Sequence, residues 1–153
     1  SRALHAPPHI TLQAPFTGNM QKEKLMEAVL NEFASTQKPF PVSLSGFGFF
    51  DNRRSKVIYI NSKLNRAMDE CQQELALFLK NRLDLHEKKT SFGFHAHCTV
   101  AFRDLGHSQF HKAWMEFASR KFEADFQAES ISLLKNENSS WIPIHGALLA
   151  GAE

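Results

Sequence analysis

Pro8-His9-Ile10-Thr11-Leu12 returns in kind far downstream as Ala96-His97-Cys98-Thr99-Val100, each copy running His, apolar, Thr, apolar. In an extended strand successive side chains point to opposite faces, so the His and Thr of each copy share one face. Ile10 and Leu12 take the other face of the first copy, and Cys98, Val100 and Phe102 that of the second. The pattern predicts two strands, each with one face in a core and a polar strip on the other. If the strands are neighbours, two imidazoles and two hydroxyls are offered to one cleft. The copies also lead into similar endings, Gln13-Ala14-Pro15-Phe16 and Ala101-Phe102-Arg103-Asp104.

Outward from the first copy, Pro15 breaks the strand around His9 to Gln13, and Thr17-Gly18-Asn19 supplies turn and N-cap chemistry. Leu25, Met26, Val29, Leu30 and Phe33 recur at helical spacing from Lys22 to Ala34. Pro39 and Pro41 exclude helix, and Phe40, Val42 and Leu44 alternate as a strand that Gly46 and Gly48 are expected to interrupt. Phe47 to Ile60 reads as a hairpin with its tip near Asp51-Asn52. Arg53, Arg54 and Lys56 near that tip could meet phosphate groups, or form an ordinary solvated turn. Phe49 or Phe50 could stack on a base, or serve as core. A second helix is predicted over Leu64 to Leu83, burying Leu64, Met68, Cys71, Leu75, Phe78 and Leu79 and wetting its Asp, Glu, Gln and Lys residues.

Asp84 to Gly93 is polar and suits a loop ahead of the second motif strand, His95 to Arg103. A third helix near Ser108 to Lys121 presents Phe110, Ala113, Trp114, Phe117 and Ala118, with Ser108 as its expected cap. Strands follow at Phe122 to Phe126, Ile131 to Leu134 and Trp141 to Ile144, with a turn over Asn136 to Ser140. This order predicts an α+β protein with antiparallel sheets. The recurrence of the motif predicts two similar lobes flanking a central cleft, with helices on the outer faces.

The chain has 153 residues, 42% of them hydrophobic, enough for a core without staples. A net charge of +2 is too small to argue for broad charge-driven nucleic-acid binding, so any RNA contact would have to be local. Cys71 and Cys98 fall at apolar positions and read as core thiols of a reducing compartment. No apolar run approaches the roughly 20 residues that span a bilayer, and no signal peptide opens the chain. The expectation is a cytoplasmic monomer with no membrane partner.

His9-Ile10-Thr11-Leu12 and His97-Cys98-Thr99-Val100 match the paired H-x-[ST]-x signature of the two-histidine (2H) phosphoesterases, which the chain resembles from the first motif to near the C-terminus. That family includes bacterial 2'-5' RNA ligase-like proteins and RNA 2',3'-cyclic phosphodiesterases. The resemblance implies a single bilobal domain over residues 1–153. Relatives usually carry a strand and a helix ahead of the first motif; only eight residues precede His9 here, so those elements are expected to be absent. Arg103 sits where relatives often carry a basic residue, which makes it a candidate for substrate binding, with a surface salt bridge as the other reading.

Displacement at phosphorus places the attacking and departing oxygens in line on opposite sides of the atom. A base must deprotonate the nucleophile while an acid on the far side protonates the leaving oxygen, and imidazoles can take either role near neutral pH. Thr11 and Thr99 could donate to the non-bridging oxygens as charge builds there. No cofactor and no metal is required. The resemblance implies hydrolysis of a 2',3'-cyclic phosphate, on RNA ends or nucleotides, to a 2'-phosphate, with His97 as base and His9 as acid. The resemblance also implies reversible joining of a cyclic end to a 5'-hydroxyl in a 2'-5' linkage, whose reversal exchanges the two roles.

Two other readings remain open at this level. His95 and His97 alternate onto one strand face, and His107 and His111 stand four apart, so imidazoles could gather around zinc in a metal-dependent hydrolase. A catalytically silent RNA-binding module could also keep the cleft.

Overall fold

Residues 5–52, 55–86, 93–102 and 106–153 are described by a computed structural model. Helix α1, Met20–Ala34, starts at Asn19, whose side chain accepts a hydrogen bond from the Lys22 N–H, as the turn chemistry predicts. It buries Met26, Val29, Leu30, Phe33 and Ala34, whereas Leu25 is half exposed on its flank. Helix α2, Arg66–Leu83, is capped by Asn65 in the same way and buries Met68, Cys71, Leu75 and Leu79. Leu64 precedes that cap and is fully exposed, not part of the stripe.

Strands β1 (Phe40–Asn52) and β2 (Ser55–Ser62) form the predicted hairpin. Asp51 pairs with Lys56 and Asn52 with Ser55, so the expected tip residues Asp51 and Asn52 belong to the ladder; residues 53–54 lie outside the described residues. Gly46 and Gly48 do not interrupt β1. Gly46 takes φ +67 at a bulge between Leu44 and Phe47, a backbone state open to glycine at little cost. Ahead of the bulge, β1 pairs with β4 (Glu123–Ala128) on one side and, at Leu44, with Ser62 of β2 on the other; beyond it the pairing with β2 continues. Strand β3 (His97–Phe102) joins the far side of β2, giving a four-stranded antiparallel sheet in the order β3-β2-β1-β4.

Helix α3, His107–Ala118, begins at Gly106 instead of Ser108; the Gln109 side-chain oxygen accepts the Gly106 N–H. Its Phe110, Ala113, Trp114 and Phe117 pack with Phe47, Ile58, Val100 and Ala101 on one face of the sheet, while Ala118 is exposed. Strands β5 (Ser130–Glu137) and β6 (Ser140–Leu148) make a second antiparallel sheet, turned at Asn138 and Ser139, both at positive φ as a tight two-residue hairpin requires. Helices α1 and α2 share a core with this sheet through Ala147, Leu149, Ile131 and Leu133. Each full burial of a side chain such as Phe33, at 2% exposure, contributes about 1.5–3 kcal/mol.

The fold is therefore α+β with antiparallel sheets and helices packed on them, as the element order predicts. Among the described residues no helix is long and apolar enough to cross a membrane. Cys71 and Cys98 are free, buried thiols, and burial pushes Cys71 up to about 11, which makes it a poor nucleophile.

Candidate active site

The first motif is not the full strand that its alternation predicts. Its extended pairing is a single antiparallel bridge, Ile10 to Cys98. Pro7 and Pro8 before it and Pro15 after it cannot donate backbone hydrogen bonds, which leaves little ladder to build. The segment is instead held from behind. Leu12 packs into the α1/α2 core, and the Leu12 carbonyl accepts a 3.3 Å hydrogen bond from the side-chain amide of Gln72 on α2. Gln72 is 2% exposed, so the wet-side reading of that residue is corrected. It lies four residues after Met68 on the buried stripe, and its polarity is satisfied by the backbone that it anchors.

The bridge brings the two motifs side by side. Ile10 faces Cys98, and continuing that antiparallel register by one residue each way sets His9 against Thr99 and Thr11 against His97. The four motif side chains thus form a two-by-two checkerboard, with the imidazoles on one diagonal and the hydroxyls on the other. Diagonal neighbours of this kind stand roughly 7–8 Å apart at the backbone, close enough for two imidazoles to address one small group between them.

On β3 the pairing is Tyr59 with Thr99 and Asn61 with His97, then Ile58 with Ala101. Two steps along β3 match one along β2, so Val100 is an extra residue. This bulge sends both Val100 and Ala101 to the α3 face while His97 and Thr99 stay on the other. A bulge of this kind re-aims side chains at the end of a pairing.

Both imidazoles are oriented alike. His9 Nδ1 lies 2.7 Å from the Pro7 carbonyl oxygen, and His97 Nδ1 lies 2.6 Å from that of His95. A carbonyl can only accept, so in each ring Nδ1 carries the proton and donates it. Nε2 is left as the atom that accepts or delivers a proton, the tautomer that acid–base work requires. The repeated bond, each to the carbonyl two residues upstream, is a local device written into each motif.

The rings differ in surroundings. His9 is exposed and His97 is half-buried. Burial lowers the His97 pKa below its ordinary value, the bond to the His95 carbonyl opposes that shift, and the nearby His95 and His9 rings add to it. Phe50 meets the His97 ring edge-on at 5.0 Å, while the Tyr59 and His95 rings lie tilted against it at 5.1 Å and 5.9 Å. The neutral form of His97 is thereby favoured. Cys98 points away, and burial raises its thiol pKa.

The remaining candidates named from the sequence fare differently when placed in space. Arg103 lies outside the described residues, as do Arg53 and Arg54. Lys56 is paired with Asp51 and lies 5.0 Å above the Phe110 ring, on the α3 side of the sheet and away from the imidazoles. Phe49 packs on Phe110 and Trp114 on that same side. With Lys56 and His111 these rings line a groove of about 730 Å³ that is separate from the checkerboard. The His107 side chain lies outside what the structure describes; among the described residues no group of three or more His, Cys, Asp and Glu is arranged to hold a metal ion. Reading the sequence alone missed Tyr59 and Gln72. The signal for Tyr59 was the alternation of Val57, Tyr59 and Asn61 along β2.

The model of the 2'-5' RNA ligase superfamily matches residues 1–140. The "putative phosphoesterase" of Geobacillus kaustophilus is 26% identical over 96% of this chain and 81% of its own length, and a protein of the same description from Geobacillus thermodenitrificans gives the same figures. Among solved structures, the chain is similar in fold to TT0787 of Thermus thermophilus, with a TM-score of 0.69 at 16% identity over 95% of this chain and 80% of that one. A second crystal structure, titled as a phosphoesterase, gives 0.61 at 17% identity over 94% and 77%. With that match running through both His-Thr motifs, the chain belongs to the 2'-5' RNA ligase superfamily and is a phosphoesterase of the two-histidine type.

Proposed function

We propose that the protein hydrolyses 2',3'-cyclic phosphates, on RNA ends or nucleotides, to 2'-phosphates, without a metal and as a monomer. The observation that carries this reading is the checkerboard: two imidazoles on one diagonal, each with Nδ1 tied to a carbonyl and Nε2 left for proton transfer. Water attacks phosphorus and gives its proton to Nε2 of neutral His97. The bond from phosphorus to the ribose 3'-oxygen breaks, and Nε2–H of protonated His9 delivers a proton to that oxygen. Thr11 and Thr99 donate to the non-bridging oxygens, where charge develops. With a 5'-hydroxyl in place of water as the attacking group, the same pair in the same roles joins ends in a 2'-5' linkage, and the reverse of that joining exchanges the roles.

The test is a panel of 2',3'-cyclic nucleotides, RNA with cyclic ends, linear 2'-5' dinucleotides and ADP-ribose cyclic phosphate, each with and without EDTA. The expected result is turnover of cyclic phosphates to the 2'-phosphate at a rate indifferent to the chelator. Release of the 3'-phosphate alone, or activity lost in EDTA and restored by zinc, would contradict it.

A further inference from the structure

Tyr59 is the chain's single tyrosine. It sits in the middle of β2, 6% exposed, on the sheet face that carries His97 and Thr99. Its cross-strand partners are Thr99 on β3 and Gly48 on β1, and its ring leans over the glycine. A Cβ built on Gly48 would stand 2.7 Å from Tyr59 Cε2 and 2.8 Å from Cζ and Oη, distances that no side chain tolerates. Gly48 is not among the glycines at positive φ, so backbone freedom does not explain it; the space that it leaves does. In that notch the Tyr59 ring packs 4.4 Å from Phe50, 5.1 Å from His97 and 5.5 Å from His95.

We propose that Tyr59, seated in the notch at Gly48, is a positioning residue whose ring holds the His97 imidazole in its working orientation and shields it from water. The proposal deepens the reading of His97 as the base and rests on it. The groups facing His97 are His95 from its own strand's lead-in, His9 from the N-terminal segment, Tyr59 from β2 and the uncharged Phe50 from β1. Asp51 and Lys56 face the other side of the sheet. Burial raises the Tyr59 phenol pKa, so Tyr59 contributes shape and dryness without charge. The lowered pKa of His97, whose largest cause is burial, is what such a seat should produce.

The experiment is an NMR titration of the His97 ring in the wild type, Tyr59→Phe, Tyr59→Leu and Gly48→Ala, with kcat and KM measured beside it. The wild type and Tyr59→Phe should share a midpoint below the ordinary 6.5, since the ring and not the hydroxyl does the holding. Tyr59→Leu should move the midpoint up toward 6.5 and lower kcat roughly 10- to 100-fold with little change in KM, the scale of a misplaced catalytic group. Gly48→Ala displaces the ring without removing it and should act in the same direction, so it serves if the leucine variant fails to fold. A wild-type midpoint and kcat in both Tyr59→Leu and Gly48→Ala would overturn the proposal. So would a Tyr59→Phe variant that loses activity with its midpoint unmoved, because the hydroxyl would then be touching substrate. The titration needs no substrate, so a protein inert toward cyclic phosphates but with the predicted midpoints would defeat only the proposed function.

Discussion

Replacing His97 by Ala is expected to cost at least ~100-fold in kcat/KM on a 2',3'-cyclic nucleotide, and His9→Ala as much, the usual scale for one positioned acid or base. In the proposed mechanism each ring acts through Nε2 alone, because Nδ1 is committed to a carbonyl, so no other atom of the motif should replace the lost function. The double variant should cost much less than the product of the two single losses, since the reaction uses the rings as a pair. Steady-state kinetics on the four proteins, with circular dichroism to confirm folding, checks this. His9 is exposed and His97 half-buried, so loss of the fold is not expected to confuse the result. Full activity in both single variants would remove the imidazoles from the chemistry.

The hydroxyls come next in size. Thr11→Val and Thr99→Val keep the β-branched shape and remove one donor each, and the expected cost is roughly 10- to 1,000-fold in kcat, the range for a donor aimed at developing charge. Thr99 lies between Tyr59 on β2 and, by register, His9 across the bridge, so valine fits without a new cavity. Thermal melts should therefore stay close to the wild type while kcat falls. A drop in stability with kcat unchanged would assign the threonines to the strand and not to the phosphate.

Where local chemistry and tertiary structure agree, the reading from residues alone holds. Asn19 caps α1 and the Met26-Val29-Leu30-Phe33 stripe is buried because capping and helical period are local properties. The alternation in each motif places His and Thr together, and the bridge at Ile10 to Cys98 brings the copies side by side as expected of neighbours. Long-range partners are what the chain hides. Gln72 looks like a wet-face residue until the Leu12 carbonyl is beside it. Gly46 and Gly48 look like strand breakers. In space one permits a bulge within β1, and the other clears room for a ring that belongs to β2. Leu25 and Leu64 fit a helical stripe by count but find no neighbour to bury them. The first motif shrinks from a strand to one bridge because prolines on both sides withhold donors, a cost that alternation does not register.

The most direct test of the two-imidazole reaction is the dependence of kcat/KM on pH, measured with a 2',3'-cyclic nucleotide in EDTA. One ring must be neutral and the other protonated, so the profile should be a bell. On its acid side activity falls as His97 takes up a proton. Because burial lowers the His97 pKa, that limb should lie below the ordinary imidazole value of 6.5, and it should move upward in Tyr59→Leu. On its alkaline side activity falls as the acid loses the proton that the leaving oxygen needs. A rate that rises with pH to a plateau, with no alkaline limb, would mean that no protonated imidazole serves as the acid and would contradict the pairing of His9 with His97.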